Sequence, residues 1–140
     1  MPYDIYNSSL ARTERDFAMR TLREMGVVSA DVGFSGGNDE GGVNEILLTM
    51  KDGSQSALKT FPDRYWDKDE QEYVNASLDE MQVKQNRLWE ILSIPVYQRY
   101  STFAGEFYVY GSVIWDVEKN TVSMSGSEDV PVSNSIGGSW

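Results

Sequence analysis

Residues 27–50 read VVSADVGFSGGNDEGGVNEILLTM, two hydrophobic runs separated by a glycine-rich segment. In the first run Val28, Ala30, Val32 and Phe34 alternate with small or polar residues, the pattern of a strand with one buried face. Residues 43–50 form a second run of the same kind. We therefore predict two antiparallel strands joined by the glycine-rich segment.

That segment, residues 36–42, also raises a chemical alternative. Asp39, Glu40 and Glu45 carry hard oxygen ligands of the type that Ca²⁺ and Mg²⁺ prefer, so they are candidate metal ligands. Their spacing does not match an EF-hand, and no helix with a Lys-Ser/Thr pair follows the glycines, as a phosphate-binding loop requires. We predict a wide hairpin connection with glycines at positive φ, and no cofactor.

Composition excludes several kinds of chemistry. The chain has 140 residues, the length of one domain, and contains neither cysteine nor histidine. Disulfides, thiolate metal sites, Ser-His-Asp triads and the usual zinc sites are therefore excluded. The double absence argues against an enzyme.

The charge balance indicates what kind of partner the chain binds. The chain has 12 basic and 22 acidic residues, which gives a net charge of −10. Such a surface repels phosphate backbones, so we predict no direct nucleic-acid binding and, instead, a partner protein with a basic surface. No run approaches the ~20 apolar residues of a membrane span, which predicts a cytoplasmic protein without membrane contact.

Helical periodicity occurs twice. A first helix is predicted from Ser8 or Ser9, which are good N-caps, to Met25, with Gly26 as its stop. A second helix is predicted over residues 69–92, with Pro95 ending it. The stripe along one face of it consists of Val74, Leu78, Met81, Gln85, Leu88 and Leu92, all apolar except Gln85.

The remaining elements are predicted strands. Residues 51–54, KDGS, predict a turn before a weaker third strand at residues 55–61. Residues 103–126 predict two strands that turn near Lys119 and Asn120. The first of these places Phe107, Val109, Val113, Trp115 and Val117 on one face and Tyr108, Tyr110 and Ile114 on the other.

The order of these elements predicts the fold class. It is α+β, with an antiparallel sheet of four to five strands packed against two helices. One domain spans residues 1–127. Residues 128–140 are rich in Ser and Gly and predict a flexible C-terminal tail.

Two segments, GFSGGNDEGGVNEI at residues 33–46 and AGEFYVYGSVIWDVEKNTVSM at residues 104–124, resemble an uncharacterised family. Its members are small acidic proteins carried by phages and plasmids, with a GG-x-D-x-G loop and a late W-D-V hairpin. The resemblance covers residues 27–124, although STFAGEF at residues 101–107 replaces the polar segment common in the family. It implies a fold and a mobile-element origin, with no catalytic residues.

Together these features predict a non-enzymatic, DNA-mimicking inhibitor of a host nucleic-acid-handling defence protein, a CRISPR effector or restriction enzyme. It would occlude a basic surface, as an anti-CRISPR protein does, and act as a monomer or homodimer. The predicted contacts are Asp39, Glu40, Tyr65, Trp66, Asp67, Asp69, Glu70, Glu72, Tyr108 and Tyr110. One alternative is a small structural protein of a virion or mobile-element complex that assembles through helix two or Trp140. Another is a divalent-metal-dependent carboxylate enzyme.

Overall fold

The computed structural model describes residues 9–100, 103, 108–129 and 133–140. Its main sheet has six strands in the order β3-β2-β1-β6-β7-β8, and every neighbouring pair is antiparallel. These strands are β1 (Val27–Gly37), β2 (Glu40–Met50), β3 (Gln55–Ala57), β6 (Tyr108–Asp116), β7 (Thr121–Asp129) and β8 (Ser133–Ser139). The helices are α1 (Ser9–Glu24) and α2 (Glu80–Tyr100), and a separate hairpin consists of β4 (Arg64–Asp67) and β5 (Glu72–Asn75).

The predicted α+β class is confirmed, with one more strand in the main sheet than the upper prediction. Both helices pack on the same sheet, and alternate strand residues meet them. The buried side chains on this inner face include Ala30, Val32, Phe34, Ile46, Leu48, Val109, Val113, Trp115, Val122 and Met124. The two predicted faces of β6 are confirmed, while Phe107 lies outside the described residues.

Two predicted turns are present where the sequence placed them. In KDGS, the Asp52 carboxylate accepts hydrogen bonds from the Ser54 hydroxyl at 2.6 Å and the Ser54 amide at 2.9 Å. Those two bonds hold the pKa of Asp52 below its usual value. Between β6 and β7, the Lys119 amide donates to Asp116 at 3.0 Å, and Asn120 adopts a φ of 54°.

The first helix ends at Glu24, one residue before the predicted end, and Gly26, the predicted stop, adopts a φ of 79° in the turn that follows. The second helix differs from the prediction at both ends. It begins at Glu80, after a capping box in which Asp79 and Gln82 each accept the other's backbone amide. It also continues through Pro95 to Tyr100.

The predicted buried stripe of the second helix is therefore wrong except at Leu88 and Leu92. Leu88 and Leu92 are buried, but Met81 is 55% exposed and Val74 lies in β5. Packing explains why the helix continues past Pro95. Pro95 and Val96 are both buried. Their burial offsets the loss of the backbone hydrogen bond that proline cannot donate. Within the described residues, neither helix is long and apolar enough to cross a membrane.

The predicted flexible tail is wrong for residues 133–139. They form β8, which pairs with β7 along its whole length. Ile136 is buried, and the amide of Trp140 donates to the carbonyl of Val122 at 2.8 Å. Backbone hydrogen bonds and one apolar anchor thus order a segment whose Ser and Gly content suggested a loose chain.

Candidate partner-binding surfaces

The glycine-rich segment is the end of the β1–β2 hairpin. Its turn is only two residues long, Asn38 and Asp39, with φ values of 52° and 71°. Two consecutive positive φ angles define the tight turn that suits the twist of antiparallel strands, and Asn and Asp tolerate it. The predicted wide connection is therefore wrong, and the glycines lie in the strands beside the turn.

Packing against an aromatic ring explains why two of these positions are glycine. Gly36 pairs with Gly41 across the hairpin, and the side chain of Phe103, 1% exposed, covers the pair. A Cβ on Gly41 would lie 2.8 Å from Cγ of Phe103, closer than carbon atoms approach. The amide of Asp39 also donates to the carbonyl of Phe103 at 2.9 Å. The glycines therefore serve packing against a residue more than 60 positions later.

The C-terminal end of α2 packs against the same hairpin. The ring of Tyr100 lies 5.6 Å from that of Phe103 and 5.9 Å from that of Phe34. Its hydroxyl donates to the carboxylate of Glu128 at 3.0 Å. Burial, together with this bond to a carboxylate, raises the pKa of Tyr100 above its ordinary value of 10.0.

The candidate metal ligands do not converge. Asp39 lies in the turn, Glu40 begins β2, and Glu45 lies opposite Gly33 farther along the sheet. In the part of the chain that the structure describes, no three Asp, Glu, His or Cys side chains gather as a cation site.

One open concavity does bring two predicted contacts together. Glu40 and Tyr108 both line a depression of about 600 Å³ at the end of the β1–β2 hairpin. Tyr97 of α2 lines it as well, and its hydroxyl accepts the amide hydrogen of Val43 at 3.2 Å. Tyr110 lies beside Tyr108 on the outer sheet face, with ring centroids 6.3 Å apart.

The other six predicted contacts lie in the β4–β5 hairpin. The strands pair in register, Tyr65 opposite Val74 and Trp66 opposite Tyr73. Trp66 and Tyr73 make an edge-to-face contact at 5.2 Å, and both remain exposed, at 51% and 64%. The six contacts are Tyr65, Trp66, Asp67, Asp69, Glu70 and Glu72.

One of those six residues, Asp67, stabilises the hairpin itself. The Asp67 carboxylate accepts the backbone amides of Asp69 at 2.9 Å and Glu70 at 3.2 Å, and thereby closes the turn of the hairpin. Gln71 completes the turn with a φ of 53°. The other three carboxylates of the hairpin, Asp69, Glu70 and Glu72, are exposed.

The hairpin is attached to the body at its base. The amide of Ala76 donates to the carbonyl of Asp63 at 2.7 Å, which extends the ladder by one pair. Below it, the side-chain amide of Asn86 on α2 bonds both the N–H and the C=O of Phe61, each at 2.7 Å. Because β4 and β5 pack chiefly on each other, the hairpin projects its side chains outward.

Sequence reasoning missed Tyr73 and Arg64 as parts of this surface. The guanidinium of Arg64 lies 6.0 Å from the ring centre of Tyr73. Assigning residues 69–92 to a helix separated Tyr73 from Trp66. The signal was the pair of short alternating runs, RYWD and EYVN, on either side of KDEQ.

The chain was also compared with protein-family models, with curated proteins and with solved structures. None of these comparisons found a match. The resemblance to small acidic proteins of mobile elements therefore stays a prediction.

Proposed function

We propose that this chain is a non-enzymatic binding protein that docks its β4–β5 hairpin into a basic, nucleic-acid-binding surface of another protein. The observation that carries this proposal is the composition of the hairpin. Within residues 64–75, four carboxylates outnumber two cations, a net charge of −2, and three aromatic rings are at least half exposed.

The carboxylates and the exposed aromatic rings contribute differently to binding, the first to the association rate and the second to affinity. Carboxylates opposite Arg and Lys accelerate association and orient the partner, while their individual contribution to affinity is modest. Exposed Trp and Tyr side chains supply most of the affinity when they enter a pocket. A two-stranded hairpin can reach into a groove that a flat sheet face cannot enter.

The resemblance to mobile-element proteins suggests a class of target. A host defence protein that handles nucleic acid, such as a CRISPR effector or a restriction enzyme, presents a long basic channel. An acidic hairpin in that channel excludes the phosphate backbone by occupying its Arg and Lys side chains. On this proposal the chain is an inhibitor that acts by occlusion.

The test is capture of the tagged chain's partner from host lysate, followed by competition with duplex DNA. We expect a nucleic-acid-binding protein that is retained at 0.15 M salt and released both by DNA and by 0.5 M salt, where the screening length is roughly 4 Å. Retention that neither DNA nor salt alters would refute occlusion of a basic surface.

A matched pair of charge reversals locates the contact. Glu72→Lys in β5 and Glu118→Lys in the β6–β7 turn change the net charge equally, and both side chains are exposed. Reversing a charge at a contact costs about 1.4 kcal/mol, roughly tenfold in affinity, whereas the distant reversal has little effect. Equal weakening by both variants would show that net charge alone drives binding.

The aromatic residues distinguish the two candidate surfaces. Trp66→Ala removes an exposed ring from the hairpin, and Tyr110→Ala removes one of equal exposure, 51%, from the outer sheet face. We expect the first substitution to weaken capture by about thirtyfold, the typical effect of a central aromatic anchor. Loss of capture with Tyr110→Ala alone would place the contact on the sheet face.

A further inference from the structure

A second concavity lies at the base of the β4–β5 hairpin, between residues 60–63 and one face of α2. Its volume is about 340 Å³, at the lower end of the range for small-ligand pockets. The residues that line it include Phe61, Asp63, Asn86, Trp89 and Glu90. None of these is among the contacts that the sequence predicted, so the concavity is a further candidate site.

The two walls of this concavity are joined without any ligand. Trp89 and Glu90 lie three and four positions after Asn86 on α2, so the three side chains share one face of the helix. The side-chain amide of Asn86 bonds both backbone groups of Phe61, each at 2.7 Å, and thereby holds residues 60–63 against that face. Because the site is formed in advance, little conformational entropy is lost when a ligand enters it.

The concavity carries negative charge without a compensating cation. Its lining contains two carboxylates, those of Asp63 and Glu90, and no Lys or Arg. The neighbouring arginines lie at aromatic rings, Arg64 at 6.0 Å from the ring centre of Tyr73 and Arg87 at 4.1 Å from a ring centre on α1. Among the described residues, neither carboxylate forms an ion pair. The charge of this concavity is therefore available to a cation from another molecule.

The indole of Trp89 indicates which cation fits. Of the aromatic side chains, Trp attracts a cation most strongly over its face. A guanidinium group is planar, stacks on aromatic rings and carries five N–H donors that match carboxylates, whereas an ammonium group is a compact and strongly hydrated point charge. An indole beside two carboxylates therefore favours arginine over lysine.

We propose that this concavity receives one arginine side chain of the basic partner, with its guanidinium stacked on Trp89 and its N–H groups donating to Asp63 and Glu90. The identity of the partner rests on the proposed function, whereas the guanidinium site is a property of this chain alone. The site lies where a docked partner reaches it, since Asp63 directly precedes β4 and its carbonyl accepts the amide of Ala76 at 2.7 Å. A basic surface that surrounds the hairpin also meets the base of the hairpin.

The guanidinium site can be tested on the chain alone with N-acetylarginine amide, whose only charge is its guanidinium. N-acetylcitrulline amide is the neutral control of nearly the same shape, and N-acetyllysine amide is the ammonium control. The indole N–H signal of Trp89 in NMR spectra, assigned by its absence in Trp89→Phe, reports binding. We expect the arginine compound to shift this signal with a dissociation constant on the order of 1–10 mM at low salt, since single exposed ion pairs are weak.

We expect the lysine compound to bind at least threefold more weakly and the citrulline compound to leave the signal unchanged. No shift with the arginine compound would overturn the site. Equal binding of arginine and citrulline compounds would overturn the role of charge, and equal binding of arginine and lysine compounds would overturn the selection of arginine.

Variants that keep the shape of the side chains test the two carboxylates. Glu90→Gln and Asp63→Asn each remove one charge from an exposed position. Glu80→Gln is the matched control, because Glu80 is also exposed and lies ten positions, about 15 Å, before Glu90 on the same helix. We expect each of the first two variants to weaken binding of the arginine compound about threefold and the control to leave it within about twofold. Equal weakening by Glu80→Gln would show that net charge alone attracts the cation and would overturn the site.

The outcome is separable from that of the proposed function. Glu72→Lys changes the hairpin and not the concavity, so it weakens partner capture and leaves binding of the arginine compound as it was. The double variant Asp63→Asn/Glu90→Gln weakens both, each by about tenfold. Capture that the double variant leaves unchanged would overturn the arginine contact while the proposed function stands. Binding of the arginine compound without capture of any basic partner would overturn the proposed function while the guanidinium site stands.

Discussion

The hydroxyl of Tyr97 occupies the space that a side chain at Gly42 would need. A Cβ built on Gly42 lies 2.8 Å from this oxygen, while the next atoms of the ring are 3.8 and 3.9 Å away. Gly42 also has no left-handed backbone angle. Gly42→Ala therefore conflicts with one atom only, and Tyr97→Phe removes that atom.

The magnitude follows from what the hydroxyl does. It accepts the amide hydrogen of Val43 at 3.2 Å, and a hydrogen bond of this kind contributes about 0.5–1.5 kcal/mol net. Replacing glycine by alanine stabilises a compatible site by about 0.4–1 kcal/mol through the unfolded chain. With Phe at position 97 we expect that gain. With Tyr97 present, displacement of the hydroxyl cancels or reverses it, so the coupling is about 1 kcal/mol.

The assay is a double-mutant cycle measured by urea unfolding of the wild type, the two single variants and the double variant. Gly33→Ala is the matched control, because its Cβ would lie 3.7 Å from the carbonyl of Glu45 and contacts no part of Tyr97. Independent sites add to within about 0.5 kcal/mol. An equal effect of Gly42→Ala in both backgrounds would show that the Tyr97 hydroxyl does not restrict a side chain at position 42.

Two further predictions concern the contacts around α2. Asn86→Ala breaks both 2.7 Å bonds to Phe61 and should lower the free energy of unfolding by about 1–3 kcal/mol in urea, without rescue by Asp, which cannot donate to the carbonyl. A loss below about 0.5 kcal/mol would contradict this role. The raised pKa of Tyr100 means that the native state keeps this proton to higher pH than the unfolded chain. Stability should therefore fall as the pH rises above 10 through the native pKa, and this slope should be smaller in Tyr100→Phe; identical slopes would refute it.

Local patterns predicted much of the sheet. Alternation located β1 and the orientation of Ala30, Val32 and Phe34, because a strand that packs on a core repeats its environment every second residue. It was wrong at Val28, which is only half-buried, because an irregularity between Val27 and Ser29 buries Val27 instead. The two faces of β6 followed from the same rule. The predicted contacts at residues 65–72 came together in the structure because they are close in sequence.

The predictions failed where distant contacts outweigh local pattern. Val74 and Met81 fit a helical stripe, yet the capping box at Asp79 starts the helix only after β5 has ended. Pro95 signals a helix end, but α2 continues past it, and Pro95 and Val96 are both buried. Tyr97 lies some 50 residues from Val43 in sequence, so no local pattern connects them.

By itself, the sequence determined the alternating strands, the first helix, the acidity and the absence of cysteine and histidine chemistry. These depend on periodicity and composition, which each segment carries alone. Only the tertiary structure decided why residues 36–42 are rich in glycine, because the rings of Phe103 and Tyr97 arrive there from the far end of α2. The tertiary structure also decided that the Ser- and Gly-rich residues 133–139 form an edge strand, since backbone pairing with β7 and the burial of Ile136 order them.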